Sequence, residues 1–406
     1  MNIQPSVALS CVSRWPRVRL GDVASHRLGK MLDKEKNTGV PRRYLRNPNI
    51  RWFEFDLSDL KEILVEERDV HKYEIIDGDV LICEGGEAGR AAVWNGSSNG
   101  IIFQKACHRV RAGPRLDAKY LVHRLFYDYQ SGGLDDYYTG ATIKHLTGQD
   151  LARYEFPLPP LPEQRRIAAI LDKADALRRK RKRAIALFDS LTQSIFRKMF
   201  GNPAANPNGY QLMTFGEIAE RMSDGPFGSN LKSEHYADDG VRVIRLQNIG
   251  VGEFLDHDKA FISNDHFSRL SKHECRAGDV LIGTLGEPNL RACVQPVWLP
   301  IAINKADCVQ LRPDPAIVRA EYLCALINDP ATEGLAQSLM LGQTRTRISM
   351  GRLRDLQIPI APLEQQARFC KVVRSVNADQ ALAKKHRTQT NALFLSLQHR
   401  AFSGQL

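Results

Sequence analysis

Gly78-Asp79-Val80-Leu81-Ile82 returns unchanged as Gly278-Asp279-Val280-Leu281-Ile282, and the matches continue outward from it in both directions. Upstream, Leu20-Gly21-Asp22-Val23-Ala24 returns as Phe215-Gly216-Glu217-Ile218-Ala219. Tyr44-Leu45-Arg46-Asn47-Pro48-Asn49-Ile50 returns as Val243-Ile244-Arg245-Leu246-Gln247-Asn248-Ile249. Downstream, Lys105-Ala106 matches Lys305-Ala306, Tyr120-Leu121 matches Tyr322-Leu323, Gly140 and Thr142 match Gly342 and Thr344, and Pro157 to Leu161 match Pro359 to Leu363. Collinear matches whose offset stays between 195 and 202 residues describe a duplication. A repeat of roughly 200 residues is far longer than a solenoid unit, so each copy holds whole domains.

Each copy changes texture once. From about 17 to 156, short β-rich runs such as Asp79-Val80-Leu81-Ile82 and Ala91-Ala92-Val93-Trp94 sit between Gly, Asn and Pro punctuation, which predicts a mixed sheet domain with small helices. Pro157, Pro159, Pro160 and Pro162 then form a rigid stop, and neither proline nor glycine follows until Gly201. The stretch from Glu163 to Phe200 reads as one helix about 57 Å long at roughly 1.5 Å per residue. Its apolar stripe (Ile167, Ile170, Leu171, Ala174, Leu177, Ala184, Phe188, Leu191, Ile195 and Met199) is narrow and suits one partner helix. Phe369, Val372, Val373, Val376, Ala383, Leu393 and Leu397 repeat the stripe after Pro362, with Asp379 and His386 expected on its seam. Spacing alone leaves a parallel or an antiparallel pairing open.

Lys+Arg 57 against Asp+Glu 46 gives a net charge of +11 and favours a polyanionic partner, nucleic acid ahead of an anionic membrane surface. No apolar run approaches the ~18 residues of a bilayer span, and the expectation is a cytoplasmic protein without membrane contact. The eight cysteines show no C-x-x-C and read as reduced core residues, and no metal site is expected. Walker A, G-x-G-x-x-G, G-x-S-x-G and H-E-x-x-H are absent. Glu84-Gly85-Gly86-Glu87-Ala88-Gly89 reads as a turn, and Asp224-Gly225-Pro226-Phe227 lacks the first proline of an amino-methyltransferase motif. The pairs Asp135-Asp136 and Asp238-Asp239 read as solvated, and His108, His145 and His273 as surface or core residues. The run Arg178-Arg179-Lys180-Arg181-Lys182-Arg183 is either a solvated helix face or a contact to phosphate or a partner. No catalytic residues are expected.

Base readout uses Arg or Lys on guanine and Asn or Gln on adenine, with other basic groups positioning the backbone. The candidate DNA-binding residues are Arg42, Arg43, Arg46, Asn49, Lys144, His145, Arg245, Gln247, Asn248, Arg345 and Arg347.

Gly140-Ala141-Thr142-Ile143-Lys144-His145-Leu146, the run Phe156 to Leu171 (Phe-Pro-Leu-Pro-Pro-Leu-Pro-Glu-Gln-Arg-Arg-Ile-Ala-Ala-Ile-Leu) and Met199-Phe200-Gly201-Asn202-Pro203 resemble the conserved region of type I restriction-modification DNA specificity subunits. Ile358 to Gln366 resembles the second such region, departing from it as Pro-Leu-Glu-Gln-Gln in place of Pro-Leu-Pro-Glu-Gln. The resemblance implies an α+β protein of two mixed α/β target-recognition domains separated by two long helices in an antiparallel coiled coil, an internal repeat with pseudo-two-fold symmetry. The domains implied are 1–156 and 213–358, the spacer helices 157–200 and 359–406, and the linker 201–212. It also implies that each domain reads one half of an asymmetric bipartite site in double-stranded DNA, and that the helices set the gap and dock methyltransferase subunits. Glu163, Gln164, Ile167, Ile170, Gln365, Gln366 and Phe369 are the candidates for that docking. S-adenosylmethionine, ATP and Mg2+ are expected on modification and restriction subunits and not on this chain. A rod of ~57 Å caps the gap at roughly 17 base pairs. The competing reading is a non-catalytic scaffold that binds peptides or RNA.

Overall fold

The structure, a computed structural model, describes residues 15–33, 37–96, 100–140, 142–340 and 346–406. Arg345 and Cys11 fall outside them. The chain divides into two compact units, Met1–Arg181 with His386–Leu406, and Lys182–Lys385.

In the first unit a four-stranded antiparallel sheet runs in the order Ala24–Leu28, Cys107–Ala112, Val80–Cys83, Ala91–Val93. A smaller sheet orders Lys61–Val65, Val40–Leu45 and Ile102–Phe103, its last pair parallel. Val80–Cys83 is buried on both faces, which is why it reads as a continuous apolar run and not as an alternation. Val80 and Ile82 face a core shared with the helix Ala118–Ser131, whereas Leu81 and Cys83 face Leu45, Ile75 and Phe103. The second unit repeats this frame. Ala219–Ser223, Cys308–Pro313, Val280–Gly283 and Arg291–Val294 form its four-stranded sheet, and a five-stranded sheet stands where the first unit has three strands.

The repeated Gly-Asp motif is a structural corner. Asp79 is buried, accepts the backbone N–H of Ile76 at 2.8 Å and receives Arg111 Nε at 2.8 Å. Asp279 does the same with the N–H of Arg276 at 2.8 Å and Arg312 Nε at 2.9 Å. Each carboxylate thus ties the start of a central strand to its neighbour.

A short strand closes each domain beside its own entry: Arg17–Arg19 pairs with Glu155–Pro157, and Gln211–Thr214 with Gln357–Ile360. Gln211 and Leu212, read as the end of a linker, are therefore strand. The two long helices run Leu161–Phe200 and Leu363–Phe402, 40 residues each. Within the first unit their segments lie in opposite directions, since Arg166 reaches the carbonyl of Leu406 at 2.8 Å while Arg178 stacks on Phe394 at 4.4 Å. Within the second unit Phe196 and Phe200 pack on Phe369, with centroids 5.7 and 5.5 Å apart.

The apolar seam differs in detail from the spacing expected. Phe196, Phe200 and Phe394 are buried, whereas Leu177, Leu191, Val372 and Leu393 are exposed and Asp379 points to solvent. Packing against the domains, and not only helix on helix, selects the buried positions. Arg178 and Arg179 of the basic run bind Asp175 at 3.0 and 2.8 Å, so this part of the run is structural. The seven described cysteines are free and buried, and burial raises the Cys83 thiol to about 11, keeping it protonated.

Asp79→Ala and Asp279→Ala are each expected to lower the stability of their own unit by roughly 1–3 kcal/mol, because a backbone N–H and a partly buried arginine lose their buried acceptor. The urea midpoint of each variant measures this, and a shift under about 0.5 kcal/mol would contradict the corner's role.

Candidate nucleic-acid interface

The same loops meet in both units, held by matched backbone hydrogen bonds. In the first, the N–H of Glu84 donates to the carbonyl of Ala106 (2.8 Å), that of Leu146 to Glu84 (2.7 Å), and that of Gln104 to Leu45 (3.1 Å). In the second, Thr284 donates to Asp307 (3.1 Å), Ile348 to Thr284 (3.1 Å) and Lys305 to Ile244 (2.9 Å). A further loop enters each cluster at a glycine. A Cβ on Gly29 would lie 2.2 Å from the carbonyl oxygen of Gln104, and one on Gly225 2.0 Å from the carbonyl carbon of Lys305, so no other residue allows that approach. Asn47 joins the first cluster through its amide, which donates to the carbonyl of Gly85 at 2.7 Å.

This arrangement sorts the sequence candidates. Asn49 and Asn248 are corrected: both are buried, and their amides close the loop in which they sit. Asn49 Oδ1 accepts from the N–H of Arg46 (2.9 Å) and its Nδ2 donates to the carbonyls of Asp56 (2.9 Å) and Asp59 (3.1 Å). Asn248 makes the same set with Arg245 (2.9 Å), Leu255 (3.0 Å) and His257 (2.7 Å). Arg46 and Arg245 are four-fifths buried and clamp Asp59 and Asp258, each at 2.6 Å. Hydrogen bonds from Gln247 and Arg245 hold the Asp258 carboxyl below its ordinary value. These arginines are loop clamps first. Arg42 and Arg43 lie on the strand Val40–Leu45, away from the loop cluster, with Arg43 exposed and 4.0 Å from Glu62.

Besides Arg43, the exposed candidates among the described residues are Lys144, Gln247 and Arg347, with His145 half-exposed. Lys144 pairs with Asp135 at 2.7 Å and lies over the Tyr138 ring at 5.0 Å. His145 Nδ1 lies 3.6 Å from Glu84. Arg347 lies 3.6 Å from Asp307 and stacks over Phe227 at 5.8 Å.

The sequence reading missed three members of these faces. Phe227 is an exposed aromatic ring under an arginine, and Lys305 donates to the Tyr236 hydroxyl at 2.8 Å. Lys105 is exposed as well, one residue after Gln104, which holds the backbone place of Lys305. The repeated Lys-Ala pair was the available signal. Cations beside exposed rings suit phosphates and stacked bases. Of the docking candidates, Gln164, Ile167, Gln366 and Phe369 are fully buried within their own units, leaving only Glu163, Ile170 and Gln365 partly accessible.

Residues 13–187 match the family model described as Type I restriction modification DNA specificity domain. The chain is 22% identical over 395 residues to the type I restriction enzyme MjaVIII specificity subunit of Methanocaldococcus jannaschii, covering 92% of this chain and 89% of that protein. The chain is thus similar to type I specificity subunits over most of its length, and residues 13–187 match their DNA specificity domain. Its similarity to the Escherichia coli EcoBI specificity subunit is 21% over 362 residues, with 82% and 75% of the two chains covered. A solved type I S subunit from M. genitalium shares the fold at 16% identity and a TM-score of 0.59, over 98% of this chain and 99% of that one. No helix among the described residues is long and apolar enough to cross a membrane.

Asn248→Ala is expected to destabilise by roughly 1–3 kcal/mol because a buried loop loses its amide. Exposed Gln247→Ala should stay within about 0.5 kcal/mol while changing DNA discrimination. Thermal melts together with binding to specific and scrambled duplexes measure both. Equal stability of the two variants would contradict the assignment.

Proposed function

We propose that this chain reads an asymmetric, bipartite DNA site for a type I restriction-modification complex, each domain contributing one loop face. The observation that carries the reading is the duplicated loop cluster, built on one backbone frame in both units but lined differently: Lys105, Lys144 and His145 in the first, Phe227, Gln247, Lys305 and Arg347 in the second. One frame with two linings gives two half-sites of different sequence, as a single chain imitating a dimer would. Phosphate contacts by the lysines position the duplex, and Gln247 and Arg347 have the donors to address base edges.

In this proposal the long helices pair antiparallel and set the distance between half-sites. The opposed directions of the helix segments within the first unit support it. Forty residues at ~1.5 Å per residue span about 60 Å, which bounds the gap near 17 base pairs. The modification subunits would carry S-adenosylmethionine, and restriction subunits would use ATP and Mg2+, so this chain supplies address and not chemistry.

Co-expression with its methyltransferase partner, followed by mapping of methylated adenines across the host genome, tests the reading. A single asymmetric two-part motif with a constant gap is the expected result. A palindromic motif, or no new methylation from an assembled complex, would contradict it, the latter favouring a scaffold.

A further inference from the structure

The duplication also exposes a place where one copy is filled and the other is hollow. In the first unit the loop Trp52-Phe53-Glu54 turns back onto the helix Ala118–Ser131 and the long helices. Phe53 sits in the left-handed region at φ 66°, its N–H donating to the carbonyl of Ala91 at 3.1 Å. Its ring packs on His123 (4.7 Å) and Phe126 (5.1 Å), with Phe394 at 6.3 Å, and Arg178 stacks on Phe394 from the other side. Two clefts flank the ring, one of about 270 Å³ by Lys119 and Asp172 and a more open one of about 540 Å³ by Phe55 and Trp94, while the space toward Phe126 and Phe394 is filled by the rings themselves.

In the second unit the equivalent residue is Gly252. It holds the same left-handed conformation at φ 75°, and its N–H donates to the carbonyl of Ala292, the counterpart of Ala91, at 2.8 Å. Every large member of the first cluster has a smaller or uncharged counterpart here. Val251 stands for Trp52, Ala325 for His123, Asn328 for Phe126, Thr192 for Phe394 and Gln380 for Arg178. The space they leave is a cavity of about 440 Å³ lined by these side chains, with Phe188, Val294 and Val373 as apolar walls. Beside it the buried Gln193 Oε1 has no hydrogen-bond partner among the described residues, while its Nε2 donates to the carbonyl of Ala325 at 3.2 Å. A buried carbonyl without a donor costs free energy until something supplies one.

We infer that this cavity is a socket for the side chain of a tryptophan or tyrosine presented by a protein that docks on the second unit, its N–H or O–H donating to Gln193. The first unit shows what belongs there, an aromatic ring carried on a peptide segment at the same backbone position. Walls of Val, Phe and Ala take the ring, and the Gln193 carbonyl, with the Glu253 and Glu321 carboxylates and Asn377 at the same cavity, favours a ring with a donor over phenylalanine. The socket is independent of the DNA-reading loops.

Ligand-observed NMR titration of the full chain with N-acetyltryptophanamide and N-acetyltyrosinamide tests this. Saturable binding with Kd on the order of 0.1 mM is expected for a ligand of this size, with the phenylalanine analogue roughly tenfold weaker and the leucine analogue not binding. Gly252→Phe, which places the chain's own ring as Phe53 does, and Ala325→His should each weaken binding at least roughly tenfold while circular dichroism shows each variant still folded. Failure of either donor-bearing probe to saturate at millimolar concentration, or unchanged affinity in both variants, would overturn the socket. Equal binding of the phenylalanine analogue would overturn the role of Gln193. Free indole binding more tightly than the peptide-flanked probe would overturn the protein segment in favour of a small molecule.

Discussion

One buried glutamine holds each mixed-sheet domain to its own long helix. Gln164 Oε1 accepts the N–H of Asp117 at 2.8 Å, and its Nε2 donates to the carbonyls of Arg115 and Pro159, both at 2.8 Å. Gln366 repeats the pattern with Arg319 (2.8 Å), Ile317 (3.0 Å) and Ala361 (2.7 Å). Both are without exposed surface, so every one of these bonds is made where an unpaired amide would be costly. The Tyr120 and Tyr322 hydroxyls add a second tie, donating to the carbonyls of Pro157 and Pro359 at 2.7 and 3.1 Å. The first turn of each long helix, the proline stop before it and the loop that starts the domain's own helix are thereby one piece. A loop face that must meet DNA at a set position needs such a rigid seat.

The frame was legible in the sequence because packing and hydrogen bonding repeat. The Gly-Asp-Val-Leu-Ile motif, the Tyr-Leu pair and the proline stop all proved to be parts of the scaffold, and each has the same partners in both units. The first long helix ends at Phe200, just before Gly201, but it begins at Leu161, with Pro162 inside its first turn and Pro157 in a strand. The candidate DNA readers were less legible for the same reason. Residues chosen because they recur, such as Arg46 with Asn49 and Arg245 with Asn248, recur as loop closures. What differs between the copies would carry any distinction between two half-sites, and a search for repetition passes over it. Phe227 lay inside a tetrapeptide weighed only as a catalytic motif, yet it stands exposed under Arg347.

The helix seam was misread by one position for a related reason. A three-four spacing selects Leu393 as readily as Phe394, and only contact with Phe53 and Phe126 of the domain decides between them. The long helices are therefore not simply a coiled coil with domains attached. Their buried positions are set jointly by the partner helix and the domain, and this also explains why the polar middle of the second helix is tolerated.

The central claim is that two loop faces act on separate half-sites. The most direct measurement uses the triple variant Phe227→Ala, Gln247→Ala, Arg347→Ala in the assembled methyltransferase complex, with binding to duplexes scrambled in one half-site or the other. The account predicts that scrambling one half no longer matters to the variant, whereas scrambling the other still costs at least roughly a hundredfold, about 2.7 kcal/mol. Equal loss of discrimination at both halves, or none at either, would contradict it.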